Sequence, residues 1–477
     1  MNQKEVEQLL SIILDYGREC EWIEFKDSNA GEIGEYISAL ANSATLYDKE
    51  EAYLVFGIDD KTKEIKGTNL NFTDKDEIRL RSLLDPKIDF CSYNLIKNEK
   101  KIIIFVIESA KQYPIKYRNE AYIRINSCKT KLSKHADKEK KLWLKLSNQK
   151  FETTVARKCN DEEEILSLLD YSNFYRLLKI PIANNKTEII EKLTEYKLSR
   201  RKNGKFCITN LGAILFSYDL NNFDSLQRKA IRVVMYQGKN KVAASKFDEI
   251  FAEGYAISFE QVIKIIELNL PVNEVLSNTI REEKKLYPMI AIREFVANAL
   301  IHQDFLISGS GPMIEIYEDR IEITNPGVPL IAVDRFIDHA PESRNEKLAF
   351  MMRQIGICEE RGSGVDRAIM ACELYQLPAP NIQNEDNYTR VTLYAPKSLS
   401  GMENTDKIRA VYQHCVLKYV MNEYMTNESL RTRFGIEDKN YSTASRIIKL
   451  AIKTGVIKQL SPELKANRYQ KYIPYWG

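Results

Sequence analysis

No apolar run in the 477 residues is longer than the one from Ile102 to Ile107, far short of the roughly 20 residues a membrane-crossing helix needs. The N-terminal stretch MNQKEVEQLL lacks the apolar core of a signal peptide and reads as an exposed helix. The eight cysteines are scattered, with no C-x-x-C pair and no Cys/His spacing that suits zinc. A membrane span, a secreted disulfide scaffold and a structural zinc site are not expected, and the chain reads as cytoplasmic with reduced thiols. Neither a fixed-period repeat nor a low-complexity tract is present. Net charge is slight as well, 70 Lys+Arg against 67 Asp+Glu, or +3. What remains is an ordinary globular mixture, 44% apolar and 29% charged, and this length predicts several domains rather than one core.

The small net charge conceals two basic segments. Residues 129–158 hold ten Lys/Arg against three Asp/Glu, a local +7, and residues 401–477 hold thirteen against seven, a local +6. Positive charge gathered in this way attracts phosphate irrespective of base sequence. A solvated helix face with interspersed charges is the alternative reading of either segment.

Patterning divides the chain into four parts, a multidomain α+β protein. Residues 1–137 mix a helical pattern at 32–46 with β-rich runs at 52–58, 101–109 and 121–126. Residues 138–280 read as a mixed α/β connector, with ITNLGAILF as a buried helix or strand and AIRVVMYQG as a strand. Residues 281–397 hold a helix over 287–303, strands at 313–317 and 320–324, a glycine loop and a closing strand at 389–394. A break at 397–405 precedes residues 405–477, with three helical patterns and a Tyr-rich hairpin.

The helix AIREFVANALIHQDF carries the most chemistry. Glu294 and Asn298 are four apart and share a helical face, with His302 one turn further. A glutamate so placed can take a proton from an attacking water, and a neutral asparagine oxygen suits Mg²⁺ beside a triphosphate. An exposed helix face explains E-x-x-x-N equally well. Downstream, DRIEITNPGVP sets Asn325 before a Pro-Gly turn in which Gly327 admits close backbone approach. In ERGSGVDRAI, Gly362 and Gly364 precede a helical run, where backbone N–H groups favour phosphate. A lone G-x-G is otherwise a plain turn.

In this order, YPMIAIREFVANALIHQDF, IYEDRIEITNPGVP, SRNEKLAFMMRQIG and ERGSGVDRAI resemble the GHKL ATPase superfamily. More narrowly they look like its divergent bacterial branch, whose ATPase domain, an α/β sandwich, follows a Schlafen/AlbA-like domain. The resemblance implies ATP with Mg²⁺ as cofactors, Glu294 as general base and Asn298 as magnesium ligand. It further implies an adenine-reading position at Asn325, where an aspartate is usual, with Gly327 behind it and Gly362 and Gly364 in the phosphate-covering lid. Because that superfamily often acts as dimers, it also implies a homo-oligomer.

EWIEFKDS and LVFGIDDKTKEIKGT form the second informative pair. They resemble the Schlafen/AlbA-like domain through Glu24-Phe25-Lys26, a helix ending at Ala41-Asn42, and Gly57-Ile58-Asp59-Asp60. The resemblance implies a carboxylate triad of Glu19, Glu24 and Asp60, able to hold Mg²⁺ or Mn²⁺ for phosphodiester cleavage, with Lys26 meeting a phosphate. Glu24 and Lys26 paired on a strand, with Glu19 merely solvated, is the structural alternative.

MTNESLRTRFGI followed by NYSTASRIIKLAIKTGVIKQL looks like a winged helix-turn-helix, capped at Thr426 or Asn427 and turning at Gly435. Arg446, Lys449 and Lys453 lie along one face of its second helix, with Ile447, Ile448 and Ala451 opposite, as a helix reading DNA or RNA requires. A dimerisation winged helix shows the same division.

Three functions fit. The first is an ATP-controlled nucleic-acid-binding regulator. The second is a metal-dependent nuclease acting on tRNA or foreign nucleic acid in host defence. The third is a scaffold with a decayed nucleotide site. A histidine kinase is disfavoured, since no dimerisation helix bearing a phospho-acceptor precedes the ATPase segments.

Overall fold

The computed structural model describes the chain apart from residues 1–2, 17–18, 28–32, 112, 127, 148–149, 203–204, 271, 278–279, 341, 359–363, 462 and 464–469. Side chains at 147, 202, 272–277 and 280–285 also lie outside the description. The chain divides into two compact units, Met1–Lys150 and Phe151–Gly477.

In the first unit the run from Ile102 to Ile107 lies in the strand Lys100–Glu108, which is flanked by Glu51–Phe56 and Phe90–Lys97, with Ile23–Lys26 at the far edge. Strand side chains alternate between faces, and both faces of this sheet are covered. Ile103, Phe105 and Ile107 meet Ile37, Leu40, Ala41 and Ala44 of the helix Ile33–Leu46. Ile102, Ile104 and Val106 meet Val6, Leu10 and Ile13 of the helix Gln3–Asp15. That is why the run is apolar without interruption.

The helix Ile33–Leu46 ends where its apolar pattern ends, and its Ala41-Asn42 motif lies inside it with the polar side chains buried on specific partners. Asn42 donates from Nδ2 to the carbonyls of Ile115 and Tyr122, both at 2.9 Å, and accepts from the Ile115 amide at 2.8 Å. Ser43 Oγ accepts from the Arg124 amide at 2.8 Å. These bonds fasten a second antiparallel sheet, which includes Glu120–Ile125 and Cys128–Lys131, to the helix.

The second unit is built on a six-stranded sheet in the order Ser245–Phe251, Ile231–Tyr236, Met313–Ile316, Arg320–Pro326, Tyr388–Tyr394, Asn381–Glu385. All neighbours are antiparallel except Ile231–Tyr236 with Met313–Ile316. A parallel pair needs a long crossover, and the helices Tyr255–Asn269 and Met289–His302 supply it. The expected boundary at residue 281 therefore falls inside one sheet, two of whose strands come from the presumed connector. Ala291, Ile292, Phe295, Val296 and Ala299 share a core with Ile314, Ile316, Ile321, Ile323, Val391 and Leu393, giving a helix-on-sheet sandwich.

The rest of the presumed connector folds as a strand, Val155–Cys159, three short helices, and a hairpin of Ser199–Lys202 with Lys205–Thr209, closing a three-stranded sheet. ITNLGAILF becomes the buried helix Asn210–Phe216, capped by Thr209. At the C-terminal end, helices Asn404–Val420, Asn427–Phe434 and Tyr441–Lys453 precede a hairpin of Ile457–Gln459 and Tyr472–Pro474. The Thr426 hydroxyl caps the second of these helices, and Gly435 ends it in the left-handed region at φ 64°.

Candidate functional site

The helix Met289–His302 buries its apolar stripe in the sandwich core, which leaves Glu294, Asn298 and His302 at four-residue spacing along another face. All three line a cavity of about 550 Å³. Asn325 and Thr389 contribute from the sheet, Phe336, His339, Arg344 and Arg353 from the segments after it, and Gly364 from the head of the helix Gly364–Leu374.

Each polar group has a distinct setting. Glu294 is buried and ion-paired with Arg367. Asn298 is half-buried, and among the described residues its carboxamide has no hydrogen-bond partner. Burial, aided by the nearby Arg344 cation, pushes the His302 imidazole down to about 4, so it is neutral at neutral pH. Asn325, which lines the cavity, donates from Nδ2 to the Pro326 carbonyl at 3.2 Å.

Gly327 stands behind the cavity rather than in it. Its φ is 103°, and a Cβ there would lie 2.8 Å from the Asp304 Cβ and 2.9 Å from the Asp304 amide nitrogen. The Thr389 hydroxyl donates to the Gly327 carbonyl at 2.8 Å. At Gly364 the constraint is different: a Cβ there would lie too close to Glu294 Oε2, so the carboxylate would have to shift. Gly362 lies outside the described residues.

The stretch SRNEKLAF holds structural partners that its sequence alone did not reveal. Asn345 is buried and donates from Nδ2 to the carbonyls of Ile301 and Gln303, each at 2.8 Å, closing the C-terminal end of the site helix. Arg344 donates to the carbonyls of His302 and Val328, both at 3.2 Å. Glu152 accepts from the amides of Lys347 and Leu348 and so caps the helix Glu346–Gln354. Lys229 is buried with its amine on the carbonyls of Ile307 and Ser310, and burial pushes it down to about 8.

Two carboxylates of the first unit, Glu19 and Glu24, meet at one buried cation. Glu24 is buried between Lys26, at 2.5 Å, and the fully buried Arg124, with which it is in direct contact. Glu19 accepts from the Phe25 amide at 3.0 Å and lies 3.5 Å from Arg124 Nη2. Asp60 is exposed, and its neighbour Asp59 is held well below the usual carboxylate range by Lys66 and by the Thr62 and Lys61 amides. Among the described residues, no three His, Cys, Asp or Glu side chains are grouped to hold a metal ion. Arg124, with Lys26 on Glu24, already offsets the charge of Glu19 and Glu24, so a divalent cation at this point would have to displace a buried guanidinium. Mg²⁺ or Mn²⁺ does not fit there.

On the helix Tyr441–Lys453 the division of faces holds. Arg446, Lys449 and Lys453 are exposed, while Ala444, Ile447, Ile448 and Ala451 are buried. No helix among the described residues is long and apolar enough to cross a membrane.

Residues 19–133 match the family model described as "Schlafen, AlbA_2". Residues 309–393 match the one described as "Putative ATP-dependent DNA helicase recG C-terminal". The chain thus carries an AlbA_2 domain followed by an ATPase-like domain. The second match takes in Asn325, Gly327, Gly364 and Thr389 but begins after the helix bearing Glu294 and Asn298. No curated protein matches the chain. Among solved structures, the DIP2311 protein from Corynebacterium diphtheriae is 15% identical over 93% of this chain and 92% of that one, at a TM-score of 0.42.

Proposed function

We propose that this chain, an AlbA_2 domain joined to an ATPase-like domain, binds ATP and grips nucleic acid in a manner set by nucleotide occupancy. The observation that carries the reading is Asn298. Its half-buried amide has no partner among the described residues, beside a buried glutamate, in a cavity large enough for a nucleotide. Asn325 Oδ1 would accept from the adenine amino group, and Asn298 Oδ1 would hold Mg²⁺. When bound, Mg²⁺ neutralises charge on the triphosphate. Glu294 would accept the proton of a water attacking the terminal phosphorus. The new P–O bond forms as the bond to the bridging oxygen breaks, and ADP leaves with that electron pair.

Two walls of the cavity continue into the C-terminal helices and hairpin, which we read as a winged helix. The helix Gly364–Leu374 ends near Glu373, which pairs with His414 at 3.0 Å and Arg433 at 3.3 Å. Asp334, near the cavity residue Phe336, accepts at its carbonyl from the Tyr412 hydroxyl at 2.7 Å and at its carboxylate from Tyr475 at 2.6 Å. Arg335 stacks 4.2 Å from the Trp476 ring. A nucleotide that shifts either wall moves the body carrying Arg446, Lys449 and Lys453. Arg124 at the carboxylates of the first unit favours binding over cleavage there.

Calorimetric titration of Mg-ATP tests the site. The unaltered chain is expected to bind, and Asn298→Ala to lose binding while keeping its melting temperature. Equal affinity in the two proteins would refute the assignment.

A further inference from the structure

Glu294 does not stand alone at its end of the cavity. Arg367 donates from Nη2 to Glu294 Oε1, and the two side chains retain only 32% and 11% of their exposure. Arg367 lies one turn into the helix Gly364–Leu374, whose first residue lines the same cavity and abuts the Glu294 carboxylate. Residues 73 positions apart are thereby brought to one point by two packed helices.

The charges at that point favour one ligand over another. A base that deprotonates the water attacking a terminal phosphorus stands one water away from that phosphate. A carboxylate so near a multiply charged phosphate is repelled unless a cation lies between them. ADP lacks the third phosphate and creates no such conflict. Arg367 is already in contact with the carboxylate, and its planar fork can serve a carboxylate and a phosphate together. Arg367 reaches the cavity only through Glu294, whereas the two arginines that line it, Arg344 and Arg353, are placed differently. Arg344 is engaged with two backbone carbonyls, and Arg353 makes no ion pair among the described residues.

Resting on the nucleotide reading above, we infer that Arg367 is the residue by which this cavity distinguishes ATP from ADP. It holds Glu294 when the terminal phosphate is absent and bridges Glu294 to that phosphate when it is present. The inference concerns binding and stands whether turnover is fast or slow.

The test is calorimetry with Mg-ADP and with Mg-AMP-PNP, a non-hydrolysable ATP analogue, on the unaltered chain, Arg367→Gln, Arg367→Lys and Arg353→Gln, each checked by thermal melting. Arg367→Gln is expected to weaken AMP-PNP binding about tenfold or more, the scale of one charge-assisted contact, while ADP affinity stays within about twofold. Arg367→Lys, which keeps the charge without the fork, falls between; if the glutamine variant does not fold, the lysine variant carries the comparison. Equal weakening of both nucleotides, no weakening of either, or loss of the AMP-PNP preference in Arg353→Gln instead would overturn the inference. An unaltered chain that binds neither nucleotide would remove the ATP reading itself and this inference with it. Binding of both with an indifferent Arg367 sinks the inference alone.

Discussion

His302 illustrates how far a single position can be read before and after folding. Its place on the face of Glu294 and Asn298 follows from helical spacing alone. Its protonation does not, because it depends on burial and, secondarily, on Arg344, 42 residues away. An imidazole ordinarily near 6.5 and here held at about 4 contributes stability that is fully present above pH 6.5 and lost as pH falls toward 4. Part of the ring meets the cavity, so the effect is about 1–3 kcal/mol rather than the full value of the shift. The melting-temperature advantage of the unaltered chain over His302→Gln should therefore shrink between pH 6.5 and 4; a constant difference would contradict the burial argument. Arg367 was hidden for the same reason as Arg344. It sits inside the quoted stretch ERGSGVDRAI, yet nothing local to that stretch points to a partner in another helix. Glu19 and Glu24 show the converse, since their spacing was legible while the cation that joins them, Arg124, is 100 residues beyond Glu24.

At the level of the element, period decides what is legible. The site helix, the strands at 313–316 and 320–326 and the helix Tyr441–Lys453 lie within a few residues of where their apolar residues put them. The strand Asn381–Glu385 went unread because it is a polar edge strand with little apolar alternation. The helix Tyr441–Lys453 carries its cations on the exposed face, where charges pointing the same way act on a polyanion together. Replacing Arg446, Lys449 and Lys453 with alanine should leave the melting temperature unchanged. It should also reduce the dependence of nucleic-acid affinity on salt by about 2–3 in the log–log slope, one increment per lost phosphate contact. An unchanged slope would assign this face to another role.

For the whole molecule, local pattern is weakest. The presumed connector supplies two strands of the central sheet, a cap for the helix Glu346–Gln354 through Glu152, and the buried Lys229 beside the loop that follows the site helix. Parallel pairing of Ile231–Tyr236 with Met313–Ile316 joins segments about 80 residues apart, which no local signal announces. The same long-range packing sets the C-terminal body against both walls of the cavity, through Glu373 on one side and Asp334 on the other. The most direct measurement of nucleotide control is the affinity of the unaltered chain and of Asn298→Ala for tRNA, single-stranded DNA and duplex DNA, each with and without Mg-AMP-PNP. At least one of these nucleic acids should bind the unaltered chain with an affinity that changes severalfold on adding nucleotide, and Asn298→Ala should bind it equally well with or without. An affinity indifferent to nucleotide in the unaltered chain, under conditions where the nucleotide is bound, would contradict the account.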